Sequence, residues 1–125
     1  MPIVNTPYVL NEIAQALKEH LESGATRTLY LSQLPMSEED IHALREALGA
    51  GRITITSNQA DRTIWRECAI AGVWWGEYYT GDRYSSPEKL TLQTIEIGAI
   101  PGLAPAQPDD MMEGLRTLEA RVSAP

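Results

Sequence analysis

Few side chains in this sequence have the type and spacing that site chemistry demands. His20 and His42 fall on different predicted helices, and neither has cysteine or carboxylate neighbours at zinc-ligand spacing. His42 reads as solvated and His20 as packed beside an apolar stripe. The single cysteine, Cys68, has no histidine motif nearby, and the adjacent Glu67 would oppose a thiolate, so it reads as a structural thiol. No glycine-rich phosphate loop and no Gly-x-Ser-x-Gly elbow occurs, and Gly49-Ala50-Gly51 reads as a helix cap. No pair of acids stands in a context that would split their pKa values. No catalytic residue, metal ligand or cofactor motif is therefore assigned.

What remains is aromatic. Trp74, Trp75, Tyr78 and Tyr79 crowd one segment, and Trp65 on the preceding strand is expected to face it. Adjacent tryptophans on a strand point to opposite faces, so Trp74 and Trp75 cannot enter the same core layer. Two readings follow. One ring is core and the other is covered by a helix, or one is an exposed anchor for a protein or peptide, since Trp and Tyr dominate binding hot spots. A third possibility, from a different class, is an enzymatic or small-ligand pocket with convergent polar groups near Trp65 and Tyr79.

These residues must be positioned by a short list of elements. From Tyr8 to Glu22 the residues Val9, Ile13, Ala14, Leu17 and Leu21 recur at helical spacing, and the helix should end near Gly24. Thr28 to Leu31 is a short β-prone run closed by Gln33-Leu34-Pro35. Ser37 with Asp40 resembles a capping box for a second helix striped by Ile41, Leu44, Ala47 and Leu48, with Gly49 and Gly51 able to turn left-handed at its end. Arg52 to Ser57 alternates as a half-buried strand; were it parallel to the first, their crossover would be right-handed. Thr63 to Thr80 gives two strands broken at Ala71-Gly72. After the Gly81-Asp82 turn and the Tyr84-Ser85-Ser86-Pro87 loop, Lys89 to Ile97 gives another strand, with a bulge expected near Thr94. Pro101, Pro105 and Pro108 carry the chain to Asp109, a candidate N-cap for a last helix through Met112, Leu115 and Leu118 that frays from Ala120.

Composition narrows the partners. The chain has 125 residues, enough for one core. With 10 Lys and Arg against 17 Asp and Glu, its net charge of −7 is opposite to the footprint of a phosphate-backbone binder. No apolar run approaches the roughly 20 residues of a membrane span. The N-terminus does not read as a secretory signal, and one cysteine cannot form an internal disulfide, so a cytoplasmic protein is expected. Phenylalanine is absent, whereas the three tryptophans and five tyrosines all carry a polar handle suited to half-wet surfaces.

Several segments together resemble one known family. Gly72-Val73-Trp74-Trp75, Tyr79, Ile95-Glu96-Ile97, Pro101 and the Ala106-Gln107-Pro108-Asp109 entry to the last helix are similar to the C-terminal domain of hydrogenase expression/formation proteins of the HupH/HyaF type. So are Leu31-Ser32-Gln33-Leu34-Pro35-Met36-Ser37 and Leu44-Arg45-Glu46-Ala47-Leu48-Gly49, and the match covers nearly the whole chain. The sequence departs from the pattern after the Trp pair, where Gly76-Glu77-Tyr78 stands in place of a common Arg or His, and in having one domain equivalent where members carry about two.

The resemblance implies an accessory, non-catalytic role in maturing nickel-iron uptake hydrogenases, acting on the small, iron-sulfur-carrying subunit. The expected architecture is α+β: residues 1–125 as a single domain, a mainly antiparallel sheet of about five strands, and helices packed on one face, in the order α-β-α-β-β-β-β-α. Expected partners are the hydrogenase small subunit, other maturation proteins and a second copy in a homodimer, with no nucleic acid, membrane, metal or cofactor. The expected contact residues are Trp65, Trp74, Trp75, Tyr78, Tyr79, Glu96, Gln107 and Asp109.

Overall fold

Capping chemistry sets the first helix boundaries. The computed structural model describes residues 5–59, 61–81 and 87–124. Helix α1 spans Thr6–Ser23 and ends at Gly24, whose φ of 77° is left-handed and whose N–H donates to the His20 carbonyl. Helix α2 spans Glu38–Leu48 and opens with the capping box: Asp40 N donates to Ser37 Oγ (3.1 Å) and Ser37 N to Asp40 Oδ2 (3.3 Å). The same carboxylate also caps α1, because Asp40 Oδ1 accepts from Asn5 N (3.0 Å), Thr6 N (3.2 Å) and the Thr6 hydroxyl (2.9 Å). One acid thus joins two helix N-termini, where the backbone dipoles favour negative charge. Burial by itself would raise the Asp40 pKa, yet the hydrogen bonds from Thr6, Ser37 and Asn5 outweigh it and lower it from 3.8 to about 2.

On α1, Val9 and Ile13 are buried as the periodicity predicts, but Ala16 is buried in place of Ala14, and Leu21 is exposed. On α2, Leu44 and Leu48 are buried, Ile41 is half-buried and Ala47 is exposed. Beyond α2, Gly49 takes the left-handed φ of 70° and Gly51 does not.

Among the described residues, five antiparallel strands form the sheet: β1 (Arg27–Tyr30), β2 (Thr54–Asn58), β3 (Arg62–Glu67), β4 (Val73–Thr80) and β5 (Lys89–Ile97), in the spatial order β1-β5-β4-β3-β2. A 3₁₀ turn, Leu31–Gln33, links β1 towards α2. Strands β2 to β5 form a meander, and β1 adds to its free edge beside β5. Because β1 and β2 lie at opposite edges, no parallel strand-helix-strand unit forms. The β3–β4 break falls at Gly72, where φ is 87° and a side chain would be strained. The bulge sits three residues before the expected position: Tyr78 pairs with Leu92 and Tyr79 with Leu90, which leaves Thr91 as the extra residue, its hydroxyl donating to the Tyr78 carbonyl (3.1 Å). Residues 82–86, and with them Asp82 and the Tyr84-Ser85-Ser86 part of the expected loop, lie outside the described residues.

The core fills the space between the two helices and one sheet face, with Val9, Ile13, Ala16, Leu44 and Leu48 packed on Leu29, Val73, Trp75, Ile95 and Ile97. Helix α3 (Pro108–Ser123) does not share it. Its N-cap position is Gln107 and not Asp109, which lies in the first turn, and the helix runs through Ala120 to Ser123 without fraying. None of its residues is buried, so the expectation that the helices pack on one face holds for α1 and α2. Among the described residues, no helix is long and apolar enough to cross a membrane.

Candidate functional site

Strand register decides which predicted site residues meet. Trp65 pairs across to Gly76, Trp74 to Glu96, and Gly76 to Thr94. Side chains alternate along each strand, so Trp65, Trp74, Tyr78, Thr94 and Glu96 share the sheet face turned away from α1 and α2. Trp75 and Tyr79 belong to the helix-bearing face. There the Arg45 guanidinium lies 4.9 Å from the Trp75 ring centroid and Arg62 lies 4.7 Å from that of Tyr79.

Of the two readings of the Trp pair, the exposed anchor is not found. Trp65, Trp74 and Trp75 are each 2% exposed, and each indole N–H is bonded within the chain. Trp75 Nε1 donates to Gln93 Oε1 (3.1 Å) and Trp74 Nε1 to the Gly98 carbonyl (3.1 Å). Both neighbours of the Trp pair are buried because both sheet faces are covered, one by the helices and the other by the segment after β5, where Pro101 is fully buried. The covering element is this proline-rich return, not a helix.

At the centre of the second face stands Glu96, 7% exposed. Its Oε2 accepts from the Tyr78 hydroxyl (2.7 Å), the Thr94 hydroxyl (2.7 Å) and Trp65 Nε1 (3.1 Å). Trp65 Nε1 also lies 3.2 Å from the Tyr78 oxygen, and the two rings meet edge-on at 6.1 Å. Three donors on one carboxylate oxygen form a charge-assisted network that fixes the tyrosine and tryptophan. Burial, and then the bond to Glu96, pushes the Tyr78 pKa up to about 12. Among the described residues, no side chain donates to Glu96 Oε1 and no cation pairs with it.

Two hollows open beside this network. One, of about 550 Å³, is lined by Thr28, Tyr30, Tyr78, Glu96, Pro101 and Leu103. The other, of about 310 Å³, is lined by Thr63, Trp65, Tyr78, Leu103, Gln107 and Asp110. Gln107 braces the return segment on itself, donating from Nε2 to the Pro105 (2.7 Å) and Gly102 (3.3 Å) carbonyls, while Asp109 is exposed. The structure therefore gathers Trp65, Tyr78, Glu96 and Gln107 around concave surface. It places Tyr79 on the far side of the sheet, so the expected pocket near Trp65 does not include it. Thr94 was missed by sequence reasoning, although its place two residues before Glu96 on one strand was a usable signal. Cys68 is buried, and desolvation pushes its thiol up to about 11. Among the described residues, no three His, Cys, Asp or Glu side chains converge as a metal site.

The family model of the HupH hydrogenase expression protein, C-terminal conserved region, matches residues 3–124. The chain belongs to this family. Among relatives of this HupH C-terminal region, the hydrogenase expression/formation protein HupQ of Azotobacter chroococcum is 33% identical over 93% of this chain and 40% of its own length. The HupH protein of Rhizobium leguminosarum bv. viciae is 28% identical over 95% of this chain and 39% of its own. The chain thus spans about two fifths of these curated relatives. The solved structure of hydrogenase expression protein HupH from Thiobacillus denitrificans has the same fold, with a TM-score of 0.80 and 30% identity over 95% of each chain.

Proposed function

We propose that this HupH-family chain is a non-enzymatic, chaperone-like accessory protein for nickel-iron uptake hydrogenase, acting in the cytoplasm on the small iron-sulfur subunit before assembly. The observation that carries the reading is the family match over residues 3–124, which assigns the chain to hydrogenase expression and formation. The second sheet face supports a binding role. It offers concave, partly aromatic surface around a carboxylate whose Oε1 has no donor among the described residues, a recognition point for a cationic or amide donor group on a partner. We assign the contact to Tyr78, Glu96 and the Gln107 region, and treat the buried Trp65 and Trp74 as the scaffold behind them. Affinity capture from cells expressing hydrogenase, with wild type beside Glu96→Gln and Tyr78→Phe, tests this. Enrichment of the small subunit by wild type and its loss in the variants is expected; no hydrogenase or maturation protein enriched over a mock capture refutes the reading.

The same carboxylate favours a second reading, a small amine seated in the 550 Å³ hollow. Titration with agmatine, followed by the Trp65 and Tyr78 NMR signals, separates the two. Saturable shifts lost in Glu96→Gln support a small-ligand module, and unmoved signals remove it.

A further inference from the structure

Helix α3 presents its apolar side to solvent. Met111 is 55% exposed, Leu115 57%, Leu118 59% and Val122 85%. Their spacings of four, three and four are those of core positions d, a, d and a in a heptad, a narrow seam suited to one facing helix. At 100° per residue they fall within an arc of about 60°. Met112, also 55% exposed, stands beside the seam in the flanking e position.

The charges beside the seam select the partner and its direction. When a second α3 is laid antiparallel, so that Leu115 meets the partner's Leu118 and Met111 meets the partner's Val122, the flanks become complementary. The partner's Arg121 comes level with a point two residues from Asp110, about 3 Å along the axis at 1.5 Å per residue, on the same flank. The partner's Glu119 comes within the same distance of Arg116 on the other flank. The two-fold axis repeats both pairs, giving four ion pairs around one seam. Gly114 leaves room on the flank where Arg121 enters; a Cβ there would meet nothing within 4 Å. A parallel pairing instead sets Asp109, Asp110 and Glu113 of both helices at one end, where like charges repel.

We propose that α3 is a self-association element that pairs two copies of this chain through an antiparallel two-helix seam of Met111, Leu115, Leu118 and Val122. At 16 residues the helix is about 24 Å long, and one such helix stripe buries less area than the roughly 800 Å² per partner of a standard interface, so the dimer forms reversibly with concentration. The pairing does not depend on the hydrogenase reading, because it uses none of the second-face residues.

Sedimentation velocity of the full chain over a concentration series tests the proposal. Wild type should shift from monomer to dimer, and Leu115→Glu and Leu118→Glu should each weaken the dimer at least tenfold, with circular dichroism unchanged outside α3. Arg116→Glu and Glu119→Arg should each weaken it several-fold, and the double variant should recover. A second arm fixes direction: on mixing, Met111→Cys and Val122→Cys chains should cross-link to one another, whereas Met111→Cys should not cross-link to itself, since the two copies of that position lie about 16 Å apart along the seam. A monomer at all concentrations, a dimer indifferent to Leu118→Glu, or a self-linked Met111→Cys would each overturn the proposal.

Discussion

Replacing Gly76 with alanine tests whether the Glu96 network is the tightly fitted centre of the second face. Gly76 lies on β4 beneath that network, and its φ is not positive, so the backbone itself accepts alanine. Space is the only obstacle. A Cβ on Gly76 would press against Thr94 Oγ1 inside van der Waals contact, stand 2.7 Å from Glu96 Oε2 and 3.1 Å from a Tyr78 ring carbon. Overpacking of this kind costs about 1 to 3 kcal/mol, and displacing Oε2 weakens hydrogen bonds to a charged group worth about 1.5 to 3 kcal/mol each. Partial relaxation leaves an expected loss of about 2 to 4 kcal/mol, which for a chain of this size lowers the thermal midpoint by roughly 10 °C. Urea unfolding of Gly76→Ala, Thr94→Ala and the double variant measures it. Thr94→Ala removes the nearest obstructing atom, so the double variant should be less destabilised than the sum of the singles by about 1 kcal/mol. A Gly76→Ala chain within 0.5 kcal/mol of wild type, or strict additivity with Thr94→Ala, would refute the close fit.

Asp40 titrates near 2 in the fold and near 3.8 when unfolded. A carboxylate with a depressed folded pKa stabilises above its unfolded value and loses that contribution as pH falls through the folded one. The urea midpoint should therefore drop between about pH 4 and pH 2, and Asp40→Asn should flatten that slope; an unchanged slope would count against the double cap. The Cys68 thiol, pushed up to about 11, should resist iodoacetamide at pH 8 in the native chain and react once urea unfolds it. Equal rates in both states would mean the thiol is not buried. Gly114→Ala fills open space in an exposed helix and should add helical signal in circular dichroism, a local gain of about 1 kcal/mol, while the global urea midpoint stays put because α3 has no buried residue. A shift of that midpoint would show that α3 is coupled to the core.

Local signals in the sequence carried most of the architecture. Ser37 and Asp40 marked the start of α2, Gly24 the end of α1, and Lys89 to Ile97 the last strand, because capping and alternation act over a few residues. The second role of Asp40, capping α1 from 34 residues away, left no local trace. The Trp74-Trp75 pair was legible as two opposite faces, but the fate of the second face was not. It depends on the return segment folding back over the sheet at the buried Pro101, a tertiary decision that extended proline spacing does not encode. Glu96 drew notice through its place in a family-like segment; its three donors come from β3, β4 and its own strand, and only strand register reveals them. The stripe on α3 looked like a core-facing helix, since the same apolar spacing serves a core or a solvent-side seam.

The placement of β1 bears on how the chain acquires its fold. Leu29 pairs with Ile95, so the first strand finds its sheet neighbour only in a segment made long after it. Until β5 leaves the ribosome, β1 has no edge to join, and the core lacks Ile95 and Ile97 as partners for Leu29 and the helices. The β2 to β4 hairpins can form early from local contacts, whereas closure of β1 onto β5 is the long-range, slow event. A nascent chain that has emerged only as far as Glu88 would therefore display a protease-sensitive α1-β1-α2 segment, and one with α3 clear of the ribosome a resistant one.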